Sequence, residues 1–135
     1  MRGHFLTVLF GAIALTGTVT PVLAHHSLSS EFDLSKQVKL TGVVTKVEWT
    51  NPHAWFYVDV MDSKTGKTMR WALQLSGPNA LARLGWTRNS LKVGDVVTAQ
   101  VALSKESWHS ASAREVWLSD GHKIFGTLSA LNETR

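Results

Sequence analysis

The chain contains no cysteine. No disulfide framework can brace it, no thiolate can hold a metal, and a lipid-modified cysteine at an export junction is excluded. It also lacks an apolar run long enough to cross a bilayer, which needs about 20 residues: the longest, Phe5 to Leu15, is closed by Gly17, Thr18, Thr20 and Pro21. No dense basic block occurs, since Lys36, Lys39, Lys46, Lys64, Lys67, Arg83, Arg88 and Lys92 are scattered among acids and apolar residues. That spacing favours solubility and argues against a nucleic-acid partner. Internal repeats and low-complexity segments are absent. So are a nucleophile elbow, a glycine-rich phosphate loop and acids paired in one turn, which leaves no catalytic or cofactor motif and no ground for assigning an enzyme activity.

What is present begins with an export signal. Arg2 supplies a basic start, Phe5–Leu15 an apolar stretch, and Val22-Leu23-Ala24 the small or neutral residues of a cleavage site. The pattern predicts a signal peptide over 1–24, cleavage after Ala24, a periplasmic or secreted product, and no stable membrane insertion after processing. Cleavage leaves 135 − 24 = 111 residues, enough for one domain with a real core. Arg2 is the only charge lost, so 13 basic residues then stand against 10 acidic, a mild excess of +3 with neutral histidine.

The mature chain reads as an extended N-terminal arm over 25–36, a β domain over 37–126 and a tail over 127–135. Strand-like alternation runs from Gln37 to Thr50 and changes parity midway: Val38 and Leu40 share one face, whereas Val43, Val47 and Trp49 share the other. Gly42 is the expected site of a bulge or bend. Thr50-Asn51-Pro52-His53 breaks the strand, and Ala54–Met61 returns as its hairpin partner. A third strand shows strict alternation of Met69, Trp71, Leu73 and Leu75 with Arg70, Ala72, Gln74 and Ser76. Gly77-Pro78 opens a short helix that Gly85 stops. Two further strands, Val96–Ser104 and Ala111–Leu118, follow, with Ile124 and Phe125 as a last apolar lid. The order predicts a mainly β fold, a small five-stranded barrel of the oligonucleotide/oligosaccharide-binding type with one short helix between strands 3 and 4. A β-sandwich is the competing architecture, but would show about seven strands and no such helix.

Processing would expose His25-His26-Ser27 as the new terminus. An N-terminal histidine offers an α-amine and a ring nitrogen that chelate together, and the next residue adds a second imidazole. Copper(II) favours such nitrogen donors, and zinc also takes imidazole. His53, held in a turn between Trp49 and Trp55, is the candidate third ligand. In the predicted barrel the first and last hairpin loops approach, which brings Trp108 and His109 toward the same rim. A rim of Trp49, Asn51, Trp55 and Trp108 equally describes a site for an organic ligand or a partner, with stacking rings and a hydrogen-bonding amide. Trp71 is expected in the core, Trp86 at the barrel bottom, and His122 on the surface.

The motifs His25-His26-Ser27, Glu31-Phe32-Asp33, Trp49-Thr50-Asn51-Pro52-His53-Ala54-Trp55, Gly77-Pro78-Asn79-Ala80-Leu81, Gly85-Trp86-Thr87-Arg88 and Leu91-Lys92-Val93-Gly94-Asp95 together resemble a family of small exported bacterial proteins described only as a domain of unknown function. The resemblance spans nearly all of the mature chain. It implies a signal peptide and a compact barrel-like domain, marks His25, His26, Asn51, Pro52 and His53 as residues of interest, and supplies no activity. Trp108-His109 departs from the family's pattern, where that loop is rich in Gly, Ser and Lys, which weakens a ligand role for His109. The reading expected from sequence is therefore an exported binding protein that takes copper or zinc through His25, His26 and His53, or else a non-metal ligand or partner through the aromatic rim.

Overall fold

A computed structural model describes residues 27–133, so the segment expected to be a signal peptide, 1–24, and His25 and His26 lie outside the described residues. The elements run α1 (Leu28–Glu31), β1 (Phe32–Glu48), β2 (Trp55–Met61), β3 (Thr68–Gln74), α2 (Pro78–Arg83), β4 (Val96–Ser104), β5 (Ser110–Trp117), β6 (Lys123–Phe125) and α3 (Leu128–Glu133). The protein is mainly β. Its strands form one sheet in the order β3-β2-β1-β4-β5-β6, and a further parallel pairing of β3 with β5, Ala72↔Ser110 to Gln74↔Ser112, closes the first five into a ring.

Closure depends on the length of β1. Residues Phe32–Val43 pair with β4 and Val43–Glu48 pair with β2, so the strand passes from one neighbour to the other at Val43. Gly42 is required beside that crossing because a Cβ there would stand 2.5 Å from the Asp59 carbonyl oxygen. The bulge, however, falls three residues later than the sequence predicts. The register steps from Val44↔Val58 to Lys46↔Tyr57, leaving Thr45 as the extra residue. Because the parity flips at Thr45 and not at Gly42, Leu40 and Val44 face the core together with Val47 and Trp49, while Val43 is exposed.

One boundary also moves. β1 starts at Phe32 instead of Gln37, since Phe32 is buried and pairs with Ser104, and the polar residues after it lie on an exposed part of the strand with a second register shift between Asp33 and Gln37. Within the segment read as a tail, α3 packs Ala130 into the fold. A sixth strand and two extra short helices thus flank the five strands and one helix read from the sequence. The core, inside the ring, is built from branched and small side chains with Phe56 and Trp86 as its rings. Trp86 is buried and donates its indole N–H to the Phe125 carbonyl at 2.8 Å, which ties β6 to the segment that follows α2.

Candidate functional site

Alternation along β3 and β5 sends Leu73, Leu75, Ala111 and Ala113 into the core. Their neighbours Gln74 and Ser112 therefore face outward, and Arg114 is the extra residue where the β4–β5 register steps from Val101↔Ala113 to Gln100↔Glu115. Outward residues on a ring of this kind normally meet water, yet Gln74 and Ser112 are 4 % and 0 % exposed, and Arg114 is 2 % exposed. The C-terminal segment covers them. Ser76 N–H donates to the Gly126 carbonyl at 2.9 Å, and Gly126 N–H donates to the Arg114 carbonyl at 2.8 Å. Only glycine can seat there, because a Cβ on Gly126 would lie 2.2 Å from the Ala113 carbonyl oxygen. From this anchor Thr127 caps α3, its Oγ1 accepting from Ala130 N–H at 3.2 Å, and Ser129 Oγ accepts from Arg114 Nη1 at 2.9 Å. Arg114 completes its pairing with the Glu133 carboxylate.

Beneath this cover lies a hollow of about 180 Å³. Gln74 and Ser112 lie buried at its base, Leu28 and Leu128 contribute apolar lining, and the exposed His53 is part of the same lining. Gln74 Oε1 and Ser112 Oγ are buried and make no hydrogen bond within the described structure. A buried polar atom left without a partner costs about 1–3 kcal/mol, so two in one hollow are an unusual expense for a structural wall.

The turn that presents His53 is fastened from several sides. Thr50 Oγ1 donates to the His53 carbonyl at 3.0 Å, Ala54 N–H donates to the Ser76 carbonyl at 3.3 Å, and Leu75 N–H donates to the Ala54 carbonyl at 2.8 Å. Gly77 lets the Pro52 carbonyl approach to 2.5 Å from where a Cβ would be. On the opposite side of the hollow α1 is held by Lys105, whose backbone N–H donates to the Glu31 carbonyl at 3.0 Å and whose Nζ donates to the Ser29 carbonyl at 2.6 Å. That fastening brings Leu28 to the same hollow as His53.

The other residues singled out from sequence do not share this hollow. His109 adopts φ +54°, stacks edge-on against Trp71 with ring centres 5.1 Å apart, and lines a separate cleft of about 430 Å³ with Trp71 and Trp108. Trp108 projects from it, 91 % exposed. Trp55 lines a third depression with Ser107 and Ser110. Trp49 packs against the core, Asn51 is exposed on the turn, and His122 is exposed beside β6. Among the described residues no group of three or more His, Cys, Asp or Glu side chains is placed to hold a metal ion.

The shifted ionisable groups lie elsewhere. The Lys46 ammonium and the Tyr57 hydroxyl, at 2.9 Å, hold the Glu48 carboxyl below the usual range, and Glu48 in turn raises both Lys46 and Tyr57. Ser35 lowers Asp33 through its hydroxyl, and backbone N–H groups of Thr65 and Lys64 lower Asp62. Asp59 raises Arg70. None of these groups lines any of the three hollows.

Gln74 and Ser112 are not legible in the sequence because their parity is that of solvated residues, and Arg114 is not legible because it is the extra residue of a bulge. The one signal available was that Ser112 and Arg114 sit in a strand whose outward positions are not uniformly polar or long.

The fold and site define a small mainly β protein whose single sheet closes in a ring and whose terminal segments cover a polar hollow on the ring's outer wall. The chain belongs to the family of unknown function DUF6152, whose family model matches residues 13–112. A search of curated proteins gives no match.

Proposed function

We propose that this protein is an exported metal-binding protein that takes copper or zinc through His25, His26 and His53, with storage, delivery or sensing as its use. Export rests on Arg2, the apolar Phe5–Leu15 stretch and the Val22-Leu23-Ala24 site. One observation carries the metal reading: Leu28 and His53 line the same hollow. His26 precedes Leu28 by two residues, a chain reach of at most about 7 Å, so a terminus anchored by α1 can deliver its donors to an imidazole that the Thr50–Ala54 turn already holds. A fixed loop ligand offsets the entropy of ordering a short arm. Calorimetry of the processed protein with copper(II) and with zinc tests this. Replacing His53 by Ala is expected to weaken binding far more than replacing His122 does, and one extra residue before His25 is expected to weaken it by displacing the amine. Unchanged copper affinity in all three variants defeats the reading, as does a mature terminus other than His25.

A second reading, a non-metal ligand or partner at the aromatic rim, is favoured by Trp108, which is 91 % exposed beside Trp71 and His109. A large exposed ring on a fixed loop is a contact surface in search of an apolar face. Tryptophan fluorescence titrations with chelator present separate it from the metal reading: a ligand that loses affinity in Trp108→Ala and keeps it in His53→Ala belongs to this cleft.

A further inference from the structure

The parallel pairing that closes the ring reaches β3 no earlier than Ala72, so the start of that strand has a neighbour on one side only. Two bonds fix the direction of its backbone groups. Asp62 N–H donates to the Lys67 carbonyl at 2.9 Å, which marks Lys67 as turned toward β2, and Ala72 N–H donates to the His109 carbonyl at 2.9 Å, which marks Ala72 as turned away from it. Antiparallel strands alternate between the two, and the β2–β3 register is unbroken, so Thr68 and Arg70 direct both N–H and C=O away from β2. Among the described residues no strand or loop backbone bonds to them there. Both residues are exposed. Trp71, the next residue, lines the cleft of about 430 Å³ together with residues 103–110, which include the exposed Trp108. The turn before this bare edge is basic. Lys64 and Lys67 are exposed and pair with no carboxylate among the described residues, since Asp62 accepts from the Lys64 and Thr65 backbone N–H groups and Asp59 holds Arg70.

We propose that this edge and cleft together bind an extended peptide segment of a partner protein that alternates apolar and acidic residues; this rests on the reading of the aromatic cleft as a partner site and supplies the partner's chemistry. Added as a strand beside β3, the segment sets two of its residues opposite Thr68 and Arg70, where they exchange about four main-chain hydrogen bonds. The residues that alternate with these stand opposite Met69 and Trp71 and share their face of the sheet, so an apolar side chain there meets the cleft that Trp71 lines. The residues opposite Thr68 and Arg70 lie on the other face, beside the basic turn, where acids are favoured and lysine is opposed. A second copy of this chain fits poorly, because two such edges paired antiparallel set Lys67 and Arg70 of one against those of the other. Charge on an edge keeps it from pairing with its own kind and leaves it open to a chain of opposite sign.

The test uses the ¹⁵N-labelled processed protein with chelator present, so its outcome is independent of the metal reading. The probe is an acetylated and amidated pentapeptide of alternating leucine and glutamate with leucine at both ends. Saturable binding is expected with a Kd below about 1 mM, together with slowed hydrogen exchange at the Thr68 and Arg70 amides, which contact with the aromatic cleft alone would not produce. Methyl groups on the glutamate nitrogens, which face β3, are expected to weaken binding at least about tenfold, whereas one on the central leucine nitrogen, which faces away, leaves it within about threefold. Lysine in place of glutamate is expected to weaken it at least about tenfold. Thr68→Pro, at the first position of β3 where proline is tolerated, is expected to lose binding that Thr68→Ala keeps. Absence of saturable binding, equal binding of the lysine peptide, or equal binding of the glutamate-methylated peptide overturns the proposal. If the last peptide binds equally and Trp108→Ala abolishes its binding, strand addition fails while the cleft reading stands. If the unmethylated peptide protects both amides in Trp108→Ala as fully as in the parent, the cleft reading fails, and with it the seat assigned to the apolar side chain. Protection of the two amides that grows with protein concentration alone identifies a second copy as the occupant and is equally fatal.

Discussion

Arg114 offers the sharpest test of how the C-terminal segment is held. Its guanidinium is 2 % exposed at the β5 bulge, with Nη1 on Ser129 Oγ at 2.9 Å and Nη2 on Glu133. Removing one partner of a fully buried pair costs about 3–5 kcal/mol. Here the Glu133 side chain is 55 % exposed, so water screens much of the attraction and can resolvate the freed guanidinium edge. What remains is an ion pair with one buried and one half-exposed member, between the surface-pair and buried-pair ranges, about 1.5–2 kcal/mol. Glu133→Gln is therefore expected to lower stability by that amount, and the melting temperature by about 6–16 °C on the scale of 4–8 °C per kcal/mol for small domains. Arg114→Met keeps most of the volume and removes the ion's desolvation cost, so its expected effect lies between neutral and about 2 kcal/mol of stabilisation. Urea melts of both single variants and the double variant form a cycle whose coupling should equal the Glu133→Gln loss, because methionine leaves the carboxylate nothing to hold. A Glu133→Gln melt superimposed on the parent refutes the claim that this pair fastens α3. Destabilisation beyond about 3 kcal/mol in Arg114→Met refutes the claim that the buried charge is replaceable.

Two further outcomes follow from the geometry. Gly42→Ala forces a Cβ to within 2.5 Å of the Asp59 carbonyl oxygen and 3.0 Å of Val60 Cγ2 at the β1 crossing, so a loss of about 1–3 kcal/mol is expected in urea melts; a melt like the parent's would mean that β1 and β2 separate there without cost. The shifted groups set both pH limbs. Asp33, Glu48 and Asp62 have folded pKa values below their ordinary 3.8, 4.5 and 3.8, so the unfolded chain binds more protons in that range and the stability they contribute is lost as pH falls below about 4. Lys46 and Tyr57 are raised above 10.5 and 10.0, so their contribution is complete below pH 10 and is lost as pH rises beyond it. Urea midpoints at pH 3, 7 and 11 should fall at both ends, and Glu48→Gln should flatten both limbs because it belongs to both.

Local chemistry in the sequence was enough to determine the β character, the chain order of the first five strands and the short helix between the third and fourth. Pro78 starts that helix at a position where no N–H is needed, and Gly85 ends it with φ +94°, a conformation that glycine adopts freely. The alternation of Met69, Trp71, Leu73 and Leu75 with Arg70, Ala72, Gln74 and Ser76 identifies β3 within one residue at its start and two at its end. These features are legible because each depends on neighbours a few positions away. The bulge was misplaced by three residues because Gly42 is needed for a close backbone approach, whereas the extra residue, Thr45, is an ordinary strand former and carries no mark of its role. His53 could be picked out by type and turn context, but its hollow could not. Gln74 and Ser112 have the parity of wet residues, and only the pairing of β3 with β5, 38 positions apart at Gln74↔Ser112, and the return of Gly126–Glu133 across them turn an outer wall into a buried floor. Periodicity tells which way a side chain points from its own strand. What lies above it is decided by long-range packing, and the candidate site of this protein is made of residues whose cover arrives from both ends of the described chain.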